Sequence, residues 1–159
     1  MKTILPLLLL LTSGLYAQRS ELALTQEEFD SFDCCWRKLN AQKRYAEGAA
    51  LLADYIAHSP NAKRKLPLNW HAAQLYAGAG NNKLALKYFR KTYNVFYKWF
   101  GDKQWYYFAK GNAAFVARNK TKLERILAKW EGTFPKEDNY NNLVKLRENW
   151  DKPYNEAFE

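Results

Sequence analysis

The stretch NWHAAQLYAGAGNNKLALKYF, residues 69–89, decides the fold of this chain. Small and aromatic side chains recur at spacings of three and four residues on both sides of the segment GAGNN. Such spacing places side chains on one face of a helix, and glycine and asparagine adopt positive φ at helix ends with little strain. The stretch therefore predicts two helices joined by a tight turn, over residues 68–77 and 83–97.

Similar helical patterns occur before and after this stretch. Thr25 and Glu28 form a capping-box motif at the start of an apolar stripe, which predicts the beginning of a helix. The segments SPN at 59–61 and GD at 101–102 predict interruptions. Further helices are predicted over residues 25–40, 44–58, 103–117, 121–132 and 141–150. No segment alternates apolar and polar residues for long, so we predict an all-α fold.

The central helix pair carries the spacing of a known repeat family. Counted from Leu66 as the first position, small or aromatic residues occupy the eighth, eleventh, fifteenth, twentieth and twenty-fourth positions: Ala73, Tyr76, Gly80, Ala85 and Phe89. This pattern resembles the tetratricopeptide repeat. Matches in the flanking pairs, counted from Phe29 for the first, include Tyr45, Gly48, Leu52, Tyr55, Phe115 and Asn119. Trp36 and Glu124 stand where the family has small residues.

The resemblance covers residues 29–131 and implies an architecture and a binding surface. The implied fold is a short right-handed array of about three antiparallel helix pairs followed by a C-terminal helix. In this family the first helix of each pair lines a concave groove that binds a protein or peptide. The corresponding positions predict partner contacts at six residues: Asp33, Arg37, Trp70, Gln74, Tyr106 and Lys110.

The N-terminal residues MKTILPLLLLLTSGLYAQ predict export from the cytoplasm. One lysine precedes an apolar run over residues 4–11, and small or polar residues follow, as in a secretory signal peptide cleaved after Ala17. The run is shorter than the roughly 20 residues of a membrane-spanning helix. We expect a periplasmic or secreted protein with a single helical domain over residues 18–159.

The charge of the chain leaves a second class of function open. The net charge is +9, and loss of residues 1–17 would remove one lysine and lower it to +8. Basic residues are dispersed in short clusters such as KRK at 63–65. A basic protein of this kind could bind an acidic membrane or a polysaccharide. Nucleic acid is disfavoured for an exported protein.

The residues that could carry chemistry form no recognised catalytic motif. The two histidines, His58 and His71, lie outside metal-binding motifs, and we predict no catalytic residue, no metal and no cofactor. An enzyme with an unrecognised site would need Glu27, Asp30 and His71 to meet in one cleft with aromatic side chains.

Two further expectations concern side chains that are adjacent in sequence. Neighbouring residues on a helix point about 100° apart, so a disulfide between Cys34 and Cys35 is not expected. We expect one thiol to be buried and the other to be partly exposed, and a redox role or an intermolecular bridge is the alternative. Because neighbouring helical residues point in different directions, at least one or two of Trp105, Tyr106 and Tyr107 should be exposed. Most of the six aromatics that flank Gly101 are expected to belong to the core. They are Trp99, Phe100, Trp105, Tyr106, Tyr107 and Phe108.

Overall fold

The computed structural model describes residues 20–158, and the predicted signal peptide lies outside them. Nine helices lie wholly within this range and no strand does, which confirms the all-α prediction. The helices are α1 Gln26–Phe29, α2 Cys35–Ala41, α3 Tyr45–His58, α4 Lys65–Gly78, α5 Asn82–Phe89, α6 Val95–Trp99, α7 Lys103–Val116, α8 Lys120–Glu131 and α9 Asp138–Glu148. None of the helices in this part of the chain is both long and apolar enough to cross a bilayer.

The helices pack in successive pairs, as the sequence predicts. Helix α2 packs against α3, α4 against α5, and α7 against α8. The pairs are joined by contacts of α3 with α4 and of α5 with α7, and α9 packs on both helices of the last pair. Each pair therefore buries its apolar face against the next.

The central pair matches its sequence pattern closely. Gly80 adopts a φ of 75° in the turn between α4 and α5, a conformation that glycine adopts without strain. Ala73 and Ala85 are fully buried. Trp70 lies against Phe89, with ring centroids 5.2 Å apart. Small residues thus allow close helix packing while large rings fill the space beside them.

The second helix of this pair is shorter than predicted. Helix α5 ends at Phe89 instead of continuing to residue 97. The buried Thr92 donates its hydroxyl hydrogen bond to the Phe89 carbonyl at 2.8 Å. The side chain of Asn94 then accepts a bond from the Tyr97 amide at 3.2 Å and caps a separate helix, α6. These two local bonds favour a turn over a continuous helix.

The helix predicted over residues 25–40 is also interrupted. The capping box of Thr25 and Glu28 is present, but α1 ends at Phe29. Asp30 receives two hydrogen bonds from α2: its carboxylate accepts from Trp36 Nε1 at 2.8 Å, and its carbonyl accepts from Arg37 Nε at 2.7 Å. These bonds hold residues 30–34 in a turn between two helices.

The expectation that Cys34 and Cys35 do not pair with each other is wrong, because the two residues form a disulfide. That expectation assumed that both residues lie inside one helix. Cys34 is instead the extended N-cap of α2, and Cys35 has a φ of 55°. The break after α1 therefore places the pair at a helix start, where the backbone is not helical on both sides.

Candidate functional site

A cleft of about 370 Å³ opens between α2, α4 and the C-terminal segment, residues 154–158. Helix α2 contributes an indole, a guanidinium and an amide, and α4 contributes an imidazole and a second amide. The C-terminal segment supplies a third wall. The side chains used below are Trp36, Arg37, Asn40, His71, Gln74, Tyr154, Asn155 and Phe158. Aromatic surface and hydrogen-bonding groups thus meet in one concavity.

The α2 wall is organised by Asp30. Because Asp30 accepts bonds from both Trp36 and Arg37, it fixes the indole and the guanidinium relative to one another. The Arg37 guanidinium carbon lies 4.4 Å from the centroid of the Trp36 ring, in a cation–π contact. Only Nε of Arg37 is used by Asp30, so its two terminal amino groups remain as donors for a ligand.

The α4 wall places the imidazole of His71 beside this cation. The His71 ring stacks on Trp36, with centroids 4.7 Å apart. Its Nδ1 lies 3.2 Å from Oε1 of Gln74. Burial lowers the pKa of His71 and the Arg37 charge lowers it further, while the Gln74 hydrogen bond and Asp30 act in the opposite direction. A neutral ring donating from Nδ1 offers Nε2 as an acceptor.

The C-terminal wall is anchored by a buried tyrosine. The Tyr154 hydroxyl donates to Oδ1 of Asn112 at 2.7 Å, and Asn112 Nδ2 donates to the Phe108 carbonyl at 2.9 Å. Burial raises the pKa of Tyr154. The Ala157 carbonyl accepts from Asn149 Nδ2 at 3.1 Å. The segment is therefore attached to both α7 and α9, and the sequence patterns contain no signal for this wall.

The structure brings two of the six predicted contact residues together. Arg37 and Gln74, which occupy the same repeat position in successive pairs, both line the cleft. Asp33 is exposed in the turn before α2. Trp36 and His71, which the family positions did not select, lie beside Arg37 and near Gln74. In the sequence, each of them is adjacent to a predicted contact, and this adjacency is the signal that could have identified them.

The other predicted contacts lie outside the cleft. Trp70 and Tyr106 are each only 7% exposed, so little of either side chain is accessible to a partner. Trp70 is enclosed because it packs between α5 and α7, with its centroid 4.9 Å from that of Trp105. Half-buried Lys110 donates to the Tyr106 hydroxyl at 2.8 Å. These side chains stabilise the region around α7.

The exposed aromatic residues also differ from those expected. Trp105 and Tyr107 are half-buried and Tyr106 is buried, so none of the three is exposed. Trp105 Nε1 donates to the Thr92 carbonyl at 2.8 Å, and Tyr107 packs on Phe134. Helix α7 contacts several neighbours and is covered on more than one face. The exposed large apolar side chains of the described residues are Phe32, Val95, Phe96, Trp99 and Phe100.

The residues required for the enzyme alternative are divided between two places. Glu27 lines a separate cleft with Thr25 and Arg64, whereas His71 lies in the cleft between α2 and α4. Asp30 is engaged by Trp36 and Arg37. No group of three or more histidine, cysteine, aspartate or glutamate side chains suited to a metal ion occurs among residues 20–158.

Comparisons of the chain with protein-family models, with curated proteins and with solved structures find no match. The chemistry of the cleft therefore follows from its own residues. It combines the half-buried ring of Phe158 with the cationic donors of Arg37, the imidazole of His71 and the amides of Asn40 and Asn155. Such a set suits non-covalent recognition of a ligand with both apolar and hydrogen-bonding groups.

Proposed function

We propose that this protein is an exported, tetratricopeptide-like scaffold that binds a segment of a partner protein or peptide in the cleft between α2 and α4. The observation that carries the proposal is the half-buried Arg37 guanidinium, which lies over the buried Trp36 ring beside the hydrogen-bonded pair of His71 and Gln74. Arginine is enriched at the energetic centres of protein interfaces. The signal-peptide pattern of residues 1–17 supports export.

The dimensions and groups of the cleft define the kind of segment that it would accept. A volume of about 370 Å³ suits a few side chains rather than a folded domain. Amide groups of Asn40 and Asn155 match the donors and acceptors of an extended backbone. The terminal amino groups of Arg37 favour a carbonyl or carboxylate of the partner. The proposed ligand is therefore an extended peptide segment with an apolar side chain and an acceptor group.

Site-specific photo-crosslinking in the native host tests this function. A photoreactive phenylalanine analogue at Asn40, which is exposed and lines the cleft, should crosslink to a defined protein. The same analogue at exposed Lys129 on α8 is the matched control and should not capture that protein. Gln74→Ala should remove the adduct from position 40, because it removes the amide that holds His71.

Each variant must retain the helical circular dichroism of the parent chain. The groove proposal is wrong if positions 40 and 129 capture the same proteins, or if Gln74→Ala leaves the adduct at position 40 unchanged. If position 40 captures a defined protein, peptides derived from that protein should compete for the crosslink. Failure of such competition would mean that the cleft does not carry the recognition.

A second candidate function is a charge-driven surface binder. The net charge of +9 supports it. Binding to an acidic surface should weaken steeply as ionic strength rises, because salt screens exposed charges. Binding in the cleft should be less sensitive, since it also uses aromatic contacts. Titration of sodium chloride during the crosslinking experiment separates the two candidates.

A further inference from the structure

Four apolar side chains of α6 and its C-terminal cap are exposed to solvent. Val95, Phe96, Trp99 and Phe100, called here the α6 patch, are between 61% and 81% exposed. The rings of Phe96 and Phe100 contact each other, with centroids 5.8 Å apart. Large apolar side chains that cluster at a surface mark sites that interact with a protein or a membrane.

Hydrogen bonds on both sides fix this exposed arrangement. The Asn94 side chain caps the start of α6, and the Phe100 amide donates to the Phe96 carbonyl at 2.8 Å. Asp102 then caps α7 by accepting from the Trp105 amide at 2.9 Å. Helix α6 packs against α7. The exposed rings are thus part of a defined turn of the folded chain.

The segment that carries the α6 patch is basic in sequence. Residues 90–103 carry four basic side chains and one acidic side chain: Arg90, Lys91, Lys98, Lys103 and Asp102. The segment therefore has a net charge of +3, and its one carboxylate serves as the cap of α7. The Lys98 ammonium lies 4.8 Å from the centroid of the Trp99 ring. Cationic and aromatic groups occupy the same surface.

We propose that the α6 patch inserts into the headgroup region of a bilayer that contains anionic lipids. Tryptophan and phenylalanine enter the boundary between headgroups and acyl chains, while lysine side chains reach the anionic headgroups. A second copy of the chain is a poorer occupant, because it would bring two sets of basic side chains together. A polysaccharide is also a poorer match, since Val95, Phe96 and Phe100 offer no hydrogen bonds to sugar hydroxyls. This inference does not depend on the cleft.

Vesicle binding by the full chain tests the proposal with a closely matched control. Phe100 and Phe32 are 81% and 82% exposed, but Phe32 lies outside the patch. Phe100→Ser should weaken binding to vesicles of equal parts phosphatidylcholine and phosphatidylglycerol by about tenfold. Phe32→Ser should leave it unchanged. Lys98→Gln and Lys103→Gln should each weaken it by about fivefold, and added salt should do the same.

Amide hydrogen exchange locates the contact on the chain. Anionic vesicles should protect residues 94–103, and vesicles of phosphatidylcholine alone should protect them much less. All variants share the same N-terminal sequence, so binding through its apolar run cannot produce a difference between Phe100→Ser and Phe32→Ser. Circular dichroism checks that each variant is folded.

Three results would overturn the proposal. Equal effects of Phe100→Ser and Phe32→Ser would show that the patch has no special role. Absence of vesicle-dependent protection over residues 94–103 would place any lipid contact elsewhere. Self-association in the absence of lipid that Phe100→Ser abolishes would identify a second copy as the occupant.

Discussion

Among the glycines of residues 20–158, Gly111 has the least space for a β-carbon, and it lies where α7 and α9 meet. A β-carbon at this position would lie 2.6 and 2.8 Å from the two methyl groups of Leu143. Leu143 is fully buried, so its side chain has little room to move away. Glycine is needed here for space, since its backbone is helical.

Gly111→Ala should destabilise the protein by about 1 to 3 kcal/mol through overpacking. The intrinsic helix preference of alanine, about 1 kcal/mol over glycine, offsets part of the cost. Urea denaturation measures the change in the free energy of unfolding. Gly132→Ala is the control, because a β-carbon added there would have its nearest neighbouring atom 3.8 Å away. Equal stability of the two variants would contradict the close approach.

Protonation of His71, which lines the cleft, should make the stability of the protein depend on pH. Its pKa is lowered in the folded protein, chiefly by burial. The unfolded chain therefore binds more protons than the folded chain as the pH falls through the ordinary histidine pKa, about 6.5. The stability that His71 contributes is present above that pKa and is lost on acidification.

His71→Gln should make the free energy of unfolding less dependent on pH as the pH falls through the ordinary histidine pKa. Denaturation at several pH values measures this slope. Identical slopes for the parent and His71→Gln would show that protonation of His71 is not linked to folding.

At the scale of elements, α4 is the central helix of the array. It packs between α3 and α5, its His71 stacks on Trp36 of α2, and its Trp70 contacts the rings of α7. Its buried residues therefore lie on several faces instead of one stripe. The small side chains of α4 permit this close packing, because they let neighbouring helices approach it on several faces.

Ala73→Leu should lower the free energy of unfolding by about 1 to 3 kcal/mol, because Ala73 is fully buried and three additional carbons must displace neighbours. Thermal denaturation measures the effect. Ala50→Leu, at an exposed position of α3, is the control and should change stability little. An unchanged melting temperature for Ala73→Leu would contradict the small-residue alignment behind the tetratricopeptide resemblance.

At the scale of the whole molecule, the C-terminal segment connects elements that are distant in sequence. The Tyr154 ring contacts Phe89 of α5 and Phe115 of α7, and its hydroxyl reaches Asn112. The Phe158 carbonyl accepts from Lys145 of α9 at 2.7 Å. The segment forms one wall of the cleft, so it joins the stability of the array to the shape of the candidate site.

Tyr154→Phe should cost about 1 to 3 kcal/mol, because it leaves the buried Asn112 side-chain oxygen without its hydrogen-bond donor. Chemical denaturation of Tyr154→Phe, Asn112→Leu and the double variant measures the coupling between them. The two costs should be strongly non-additive. Additive effects would show that the pair does not act as one unit.

Short stretches of the chain were enough to predict the helix ends that local interactions set. Thr25 with Glu28, Gly80 and Asp102 each lie at the helix end or turn predicted from the sequence. A cap or a positive φ depends on a few neighbouring residues, and its signal is therefore contained in a short stretch. The same applies to the helical spacing that predicts an all-α fold.

Which of these helical residues face solvent, and which meet in the cleft, depends on the packing of the whole chain. Repeat positions selected Arg37 and Gln74, but they also selected Trp70, which α5 and α7 enclose. The exposure of Phe100 and the cleft wall built on Tyr154 likewise depend on elements far away in the chain. Burial is the sum of contacts from all neighbouring elements, so helical periodicity within one element cannot determine it.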